Sequence, residues 1–308
     1  MRRRNVAITA TVVTAAVSAA AVYHFAGQLQ RSLLYFPRRY QDIATASFYQ
    51  REVEFARSKG FDIKEVNYVG KEGAGKAFLA GMEPDLNGSA LWVVFGGNAM
   101  LALDWLELLV SMSPSLEHPK PSFLLMDYPS FGDTEGTPCE SSVLNNARKA
   151  LEVVLAMDLG SPSELRILGH SLGASAAFML ANSVVKDGIP TAKDLKLGRL
   201  VVSAPFKSCP EMAKALLNIP LPIAKVLLPQ QWDNQAYLRA IQQARWDGTL
   251  SFIVPKYDEI VPPAHGLALH KQAKGMHLEL WEPQADHNDA LIHDLPRTIR
   301  AMGYKASL

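Results

Sequence analysis

Cysteine is nearly absent from this chain: Cys139 and Cys209 are the only two in 308 residues. That excludes a disulfide framework, and their spacing matches no metal-ligating pattern. Charge of one sign is equally lacking, with 31 Lys and Arg against 30 Asp and Glu and a net charge of +1. Without a basic stripe, no nucleic-acid partner is expected. There is no Walker loop, no Rossmann glycine fingerprint and no HExxH pair, so neither a cofactor nor a metal is expected. Beyond the first 40 residues no repeat, low-complexity tract or charge block occurs. What is present is a chain with 48% hydrophobic residues, long enough for one large domain or two small ones.

The one long uncharged run lies at the start. Arg2-Arg3-Arg4 precedes Val6 to Val22, extended by Tyr23-His24-Phe25-Ala26-Gly27, about the 20 residues that one membrane crossing needs. The arginines predict a cytoplasmic N-terminus. Ala19-Ala20-Ala21 offers the alternative of a signal cleavage site, with secretion of the remainder. The expectation is a single-pass N-terminal anchor over 1–30 and a membrane location, followed by a domain over 31–308.

From Lys64 onward, short apolar runs alternate with longer helix-like segments, the pattern of a mostly parallel, doubly wound α/β sheet. Candidate strands are Lys64–Val69, Ala77–Met82, Ala90–Phe95, Ser122–Met126, Leu165–Leu168, Arg199–Ser203, Leu250–Val254 and His277–Trp281. Leu91-Trp92-Val93-Val94-Phe95 shows no polar alternation, which predicts a strand buried on both faces. Helices are expected over Met100–Met112, Ser141–Met157, Leu172–Val185, Ala264–Ala273 and Asp289–Ala301. About residues 206–248 the alternation breaks into an apolar, proline-punctuated stretch (ALLNIPLPIAKVLLP), longer than an ordinary connection. This predicts a helical cap over the carboxyl ends of the strands, where open α/β sheets bind ligands.

Gly169-His170-Ser171-Leu172-Gly173 carries the chemistry. A strand-type run, Arg166-Ile167-Leu168, leads into it, and a breaker-poor apolar run to Val185 follows. Strand, G-x-S-x-G and helix together make a nucleophile elbow. A serine hydroxyl needs exposure and an adjacent base to act as a nucleophile. In chain order an acid and then a histidine should follow at strand ends. Asp258, just past Phe252-Ile253-Val254, is the first candidate acid and Glu259 the alternative. His287 sits on the loop after His277–Trp281. His265, His270 and His293 fall in helix-like segments and are expected to face solvent, whereas His170 is expected to be structural. The oxyanion donors should be the backbone N–H groups of Leu172 and of Asn98, the latter in the loop Gly96-Gly97-Asn98-Ala99. Gly132 to Gly136 repeats the elbow spacing without an apolar strand before it.

Several stretches together resemble the membrane-anchored α/β-hydrolase-domain proteins, the group near the serine aminopeptidase-like hydrolases and the depalmitoylases. They are Leu33-Leu34-Tyr35-Phe36-Pro37, Phe95 to Ala99, Asp127-Tyr128 with Gly132 and Gly136, Gly169 to Gly173, Ser203 to Ser208, and Asp258 to Pro262 with His265-Gly266. The likeness spans Ser32 to the C-terminus. It differs in reading Gly96-Gly97-Asn98 where the family has His-Gly-Asn, and in lacking the depalmitoylase branch's N-terminal cysteine cluster. The resemblance implies an α/β-hydrolase fold and a serine esterase or thioesterase acting on a small-molecule, acyl or lipid-like substrate. An amidase or aminopeptidase, or a non-catalytic membrane-tethered scaffold on the same fold, are the alternatives.

Overall fold

The structure is a computed structural model that describes residues 23–306 apart from Pro84, with the backbone alone for 43–45. Among the described residues eight strands form one sheet in the order β1-β2-β4-β3-β5-β6-β7-β8. They are β1 (Asp62–Gly70), β2 (Gly73–Gly81), β3 (Ala90–Phe95), β4 (Ser122–Met126), β5 (Glu164–His170), β6 (Leu197–Ser203), β7 (Thr249–Ile253) and β8 (His277–Trp281). The first two pair antiparallel and β2 pairs antiparallel with β4, whereas every pairing from β4 to β8 is parallel. The sheet is therefore mixed and mostly parallel.

Burial follows from position in that order. Every residue of β3 and β4 is buried, which is why these strands read as unbroken apolar runs. The second half of the edge strand β1 instead alternates, with Val66 and Tyr68 buried and Glu65, Asn67 and Val69 exposed.

Helices cover both faces. In one layer α5 (Leu172–Asp187) packs on β3, β5 and β6 between α4 (Glu140–Ala156) and α8 (Asn234–Gln243), and α9 (Pro263–Gln272) packs on α8. In the other, α3 (Leu106–Met112) packs against α2 (Ile43–Ser58) and α10 (Leu295–Ala301). Between β6 and β7, ahead of α8, lie α6 (Cys209–Leu217) and α7 (Leu221–Leu227). Ser208 starts α6 by accepting the Glu211 N–H, and Pro210 occupies its first turn, a position where the missing N–H costs nothing.

Two expected helices are shorter than their apolar pattern. Met100–Met112 begins as a tight turn over Ala102–Trp105, because the Asp104 carboxylate accepts the Leu101 N–H at 2.8 Å. Asp289–Ala301 contracts to α10, which Asp294 caps through the Arg297 N–H. Upstream of α10, Asp286 takes the N–H groups of Asn288 and Asp289 at 3.0 Å each. These side-chain bonds compete with the helix.

The expected membrane-spanning or signal helix is a correction. Among the described residues no helix is long and apolar enough to cross a membrane. The run Val6 to Val22, on which the expectation rested, lies outside the described residues. The helix described over 23–34, α1, is docked on the domain: Gln30 donates to the Gln230 carbonyl at 2.5 Å and accepts the Gln230 N–H at 3.0 Å. The anchor, the membrane partner and the membrane location are accordingly withdrawn, and with them the membrane-anchored part of the family resemblance.

Candidate active site

Ser171 sits between the end of β5 and the start of α5 with φ 56° and ψ −116°. A non-glycine residue there carries strain of about 1–3 kcal/mol. The surroundings fix it: the Ser171 N–H donates to the Ser203 carbonyl at 2.8 Å. Its flanking glycines are required by space. A Cβ on Gly169 would lie 2.0 Å from the Gly173 carbonyl oxygen, and one on Gly173 would lie 2.3 Å from that of Phe95. The turn can thus fold tightly on itself and against the end of β3.

The loops after β7 and β8 converge on this serine. His287 Nε2 lies 2.9 Å from Ser171 Oγ, and His287 Nδ1 lies 2.7 Å from Asp258 Oδ2. The other oxygen of Asp258 accepts the Ile260 and Val261 N–H groups at 2.9 and 2.7 Å. Three hydrogen bonds therefore fix a carboxylate whose side chain is 1% exposed. Glu259, the alternative acid, is exposed.

His170 lies beneath, its ring 4.9 Å from that of His287 and its Nδ1 3.1 Å from Ser203 Oγ. Burial, and then the neighbouring His287, lower its pKa to about 3, so it stays neutral at ordinary pH. His265 is buried rather than solvent-facing, with the Lys207 N–H directed at its Nδ1. His293 is exposed on a turn outside any helix.

Asn98 and Leu172 line the same cavity as Ser171. Among the described residues neither backbone N–H has a hydrogen-bond acceptor. The peptide that bears the Asn98 N–H is held on both sides. Tyr128 donates its hydroxyl to the Gly96 carbonyl at 2.6 Å, and the Phe36 N–H donates to the Asn98 carbonyl at 3.0 Å. Burial pushes the Tyr128 phenol well above its ordinary pKa, so it remains a donor. Tyr128 was legible in the sequence only as part of the Asp127-Tyr128 signature, with no sign of its target. Asp127 beside it is fully enclosed; desolvation raises its pKa to about 7, opposed by bonds from the Ala102 N–H and the Tyr40 hydroxyl.

The cavity over Ser171 holds about 470 Å³ and is walled by α1 (Ala26, Leu29, Leu33), α6 (Met212, Leu216) and α7 (Leu227). Among the described residues no charged side chain lines it. Cys209 does, its thiol pKa pushed up by burial. The α1 contribution is not expected from the sequence, in which 1–30 reads as an anchor. Its signal was the helical spacing of Ala26, Leu29 and Leu33. Among the described residues no cluster of His, Cys, Asp or Glu is placed to hold a metal ion.

No protein-family profile matches the chain. It is 22% identical over 252 residues to the uncharacterized protein YfhR of Escherichia coli, covering 80% of this chain and 81% of that one. Among solved structures it is similar to an alpha-beta hydrolase from Vibrio vulnificus, with a TM-score of 0.62, 17% identity and coverage of 83% and 84%. It is also similar to an esterase of Pyrococcus furiosus, with a TM-score of 0.59, 12% identity and coverage of 88% and 96%. At these identities the likeness shows the α/β-hydrolase fold. Fold alone does not assign an activity.

Proposed function

We propose that the protein is a serine hydrolase that cleaves carboxylic esters or thioesters of apolar acyl groups, with Ser171, His287 and Asp258 as its catalytic triad. The observation that carries this reading is the continuous chain from Ser171 Oγ through His287 to Asp258, at 2.9 and 2.7 Å, opening into an apolar cavity. In the reaction Ser171 Oγ attacks the acyl carbonyl while His287 Nε2 takes its proton. Asp258 holds the imidazole tautomer and stabilises the imidazolium. The Leu172 and Asn98 N–H groups receive the oxyanion that forms. As the tetrahedral intermediate collapses, His287 returns the proton to the departing alcohol or thiol. Water, deprotonated by His287, then releases the acid from the acyl-serine.

The same constellation attacks amides, so an amidase is the neighbouring reading; the apolar cavity, which presents no charged group to a peptide amine, favours acyl esters. A non-catalytic scaffold has less support, because the three side chains lie within the reach that proton transfer needs.

Labelling with a fluorophosphonate probe, together with hydrolysis of 4-nitrophenyl octanoate and the matching octanoyl 4-nitroanilide, tests the proposal. Labelling and ester cleavage should both vanish in Ser171→Ala. Retained cleavage in that variant, or an unlabelled folded wild type, would refute it. Preferential cleavage of the anilide would select the amidase reading.

A further inference from the structure

Another roomy depression lies on the other side of α1. It is an open groove of about 690 Å³, lined by Arg31, Ser32 and Arg38 with Ala99, Ser130 and Thr137 among others. Helical rotation gives α1 two working faces. Leu29 and Leu33 turn to the apolar cavity, whereas Arg31 and Ser32 turn to the groove. The oxyanion strip is shared in the same way: Asn98 lines the cavity and the next residue, Ala99, lines the groove.

The electrostatic contrast is as sharp as the geometric one. Among the described residues the cavity has no charged lining residue, and the groove has two arginines and no carboxylate. Arg38 is partly compensated, with its Nη1 3.3 Å from Asp104 Oδ2 and 3.4 Å from the Ala99 carbonyl. Arg31 has no ion-pair partner among the described residues. The Ala99 carbonyl oxygen is at most about 7 Å from the Asn98 nitrogen along the chain, which puts the Arg38 guanidinium within about 10 Å of that oxyanion donor.

An ester has two halves, and the apolar cavity accounts for only one of them. Building on the serine-hydrolase reading, we propose that the groove binds an anionic group on the alcohol or thiol half. The preferred substrates are then acyl esters or thioesters whose leaving group carries a phosphate or carboxylate several bonds from the scissile carbonyl. Arg31 supplies the uncompensated charge. Ser130 and Thr137, which line the same groove, carry hydroxyls that can donate to an anion bound there.

Two matched substrate pairs test this, with released octanoate as the readout on the full chain. One pair is 1-octanoylglycerol and 1-octanoylglycerol 3-phosphate, which differ by the phosphate. The other is the octanoyl thioester of N-acetylcysteamine and that of coenzyme A, which adds a nucleotide phosphate source. Wild type should favour the anionic member of at least one pair about tenfold in kcat/KM, the scale of a charge-assisted contact. Whichever pair shows the preference identifies the source of the anion. That ratio should fall towards one in Arg31→Gln and be largely restored in Arg31→Lys, with fluorophosphonate labelling of Ser171 reporting that each variant is folded. Equal cleavage of both members of both pairs, or a ratio untouched by Arg31→Gln, would overturn the groove assignment and leave the hydrolase reading standing. So would cleavage of none of the four by a protein that still labels at Ser171. Loss of labelling in the wild type would instead strike the hydrolase reading itself.

Discussion

The proposed catalytic ridge and the apolar wall above it are built on opposite plans. Along the ridge, Ser171, Asp258 and His287 come from the carboxyl ends of parallel strands, are buried, and are hydrogen-bonded to one another. The wall is assembled from α1, α6 and α7, and Leu29, Leu33, Leu216 and Leu217 remain more than half exposed. Directional bonds of fixed length hold the ridge, whereas the wall relies on non-directional burial. Proton transfer fails with small displacements, but an acyl chain tolerates them. On the proposed hydrolase reading, the difference places reaction and selectivity in separable parts of the chain, so substitutions should separate them too.

The sharpest break should come on the ridge. Asp258→Asn keeps the shape of the side chain but favours the wrong imidazole tautomer, and should lower kcat on 4-nitrophenyl octanoate by about 10³–10⁴-fold. The thermal midpoint should move far less than kcat. A drop in kcat below tenfold would mean that Asp258 does not orient His287.

An intermediate effect belongs to Tyr128→Phe, which removes only the hydroxyl bonded to the Gly96 carbonyl. If that bond positions the Asn98 N–H, kcat should fall about tenfold with KM nearly constant, since a donor to the developing oxyanion acts mainly in the transition state. Affinity for a boronic-acid transition-state mimic should fall in parallel with kcat. A change confined to KM or to the thermal midpoint would make Tyr128 a packing residue.

On the wall, Ala213→Trp fills cavity volume without touching the triad. The ratio of kcat/KM for dodecanoyl over acetyl 4-nitrophenyl esters should fall about tenfold, the scale of a few lost apolar contacts. An unchanged ratio would show that the acyl chain lies elsewhere.

The same division decides what could be read from sequence. The elbow is a five-residue signal whose meaning is local: Gly169 and Gly173 are there because backbone lies 2.0 and 2.3 Å from where their Cβ atoms would be. Strand runs such as Leu91 to Phe95 are legible because burial on both faces removes alternation. Asp258 is the first candidate acid in the sequence and Glu259 its neighbour; the contact that distinguishes them, Asp258 Oδ2 at 2.7 Å from His287 Nδ1 with Glu259 exposed, forms only between loops distant in sequence. The α6 and α7 part of the wall falls in the cap expected over 206–248, whereas the α1 part was not legible, because Leu29 meets Met212 and Leu227 only after folding. Uncharged composition at the N-terminus then led to a membrane reading that the described helices do not support. Tyr40, Asp104 and Tyr128 were opaque for the same reason: their partners are distant in sequence.

The smallest effect concerns pH, and it separates two buried groups flanking the ridge. Asp127 has its pKa raised from 3.8 to about 7. The native state therefore binds more protons than the unfolded chain between those values. Its contribution to stability is fully present below about 3.8 and is lost as pH rises through about 7. His170 runs the other way, lowered from 6.5 to about 3. Its contribution is present above 6.5 and is lost as pH falls towards 3. Between about pH 4 and 6.5 the two slopes oppose each other, so wild type should show little pH dependence from this pair. Removing either group exposes the other. Measured against wild type, Asp127→Asn should gain thermal stability steadily from pH 4 to 7 and then level off. His170→Gln should gain it as pH falls below 6.5. Ala213→Trp, which contacts neither group, should shift the midpoint by the same amount at every pH. Parallel curves for all three variants would mean that neither buried group titrates differently in the folded and unfolded chain, and that ridge and wall do not differ in this respect.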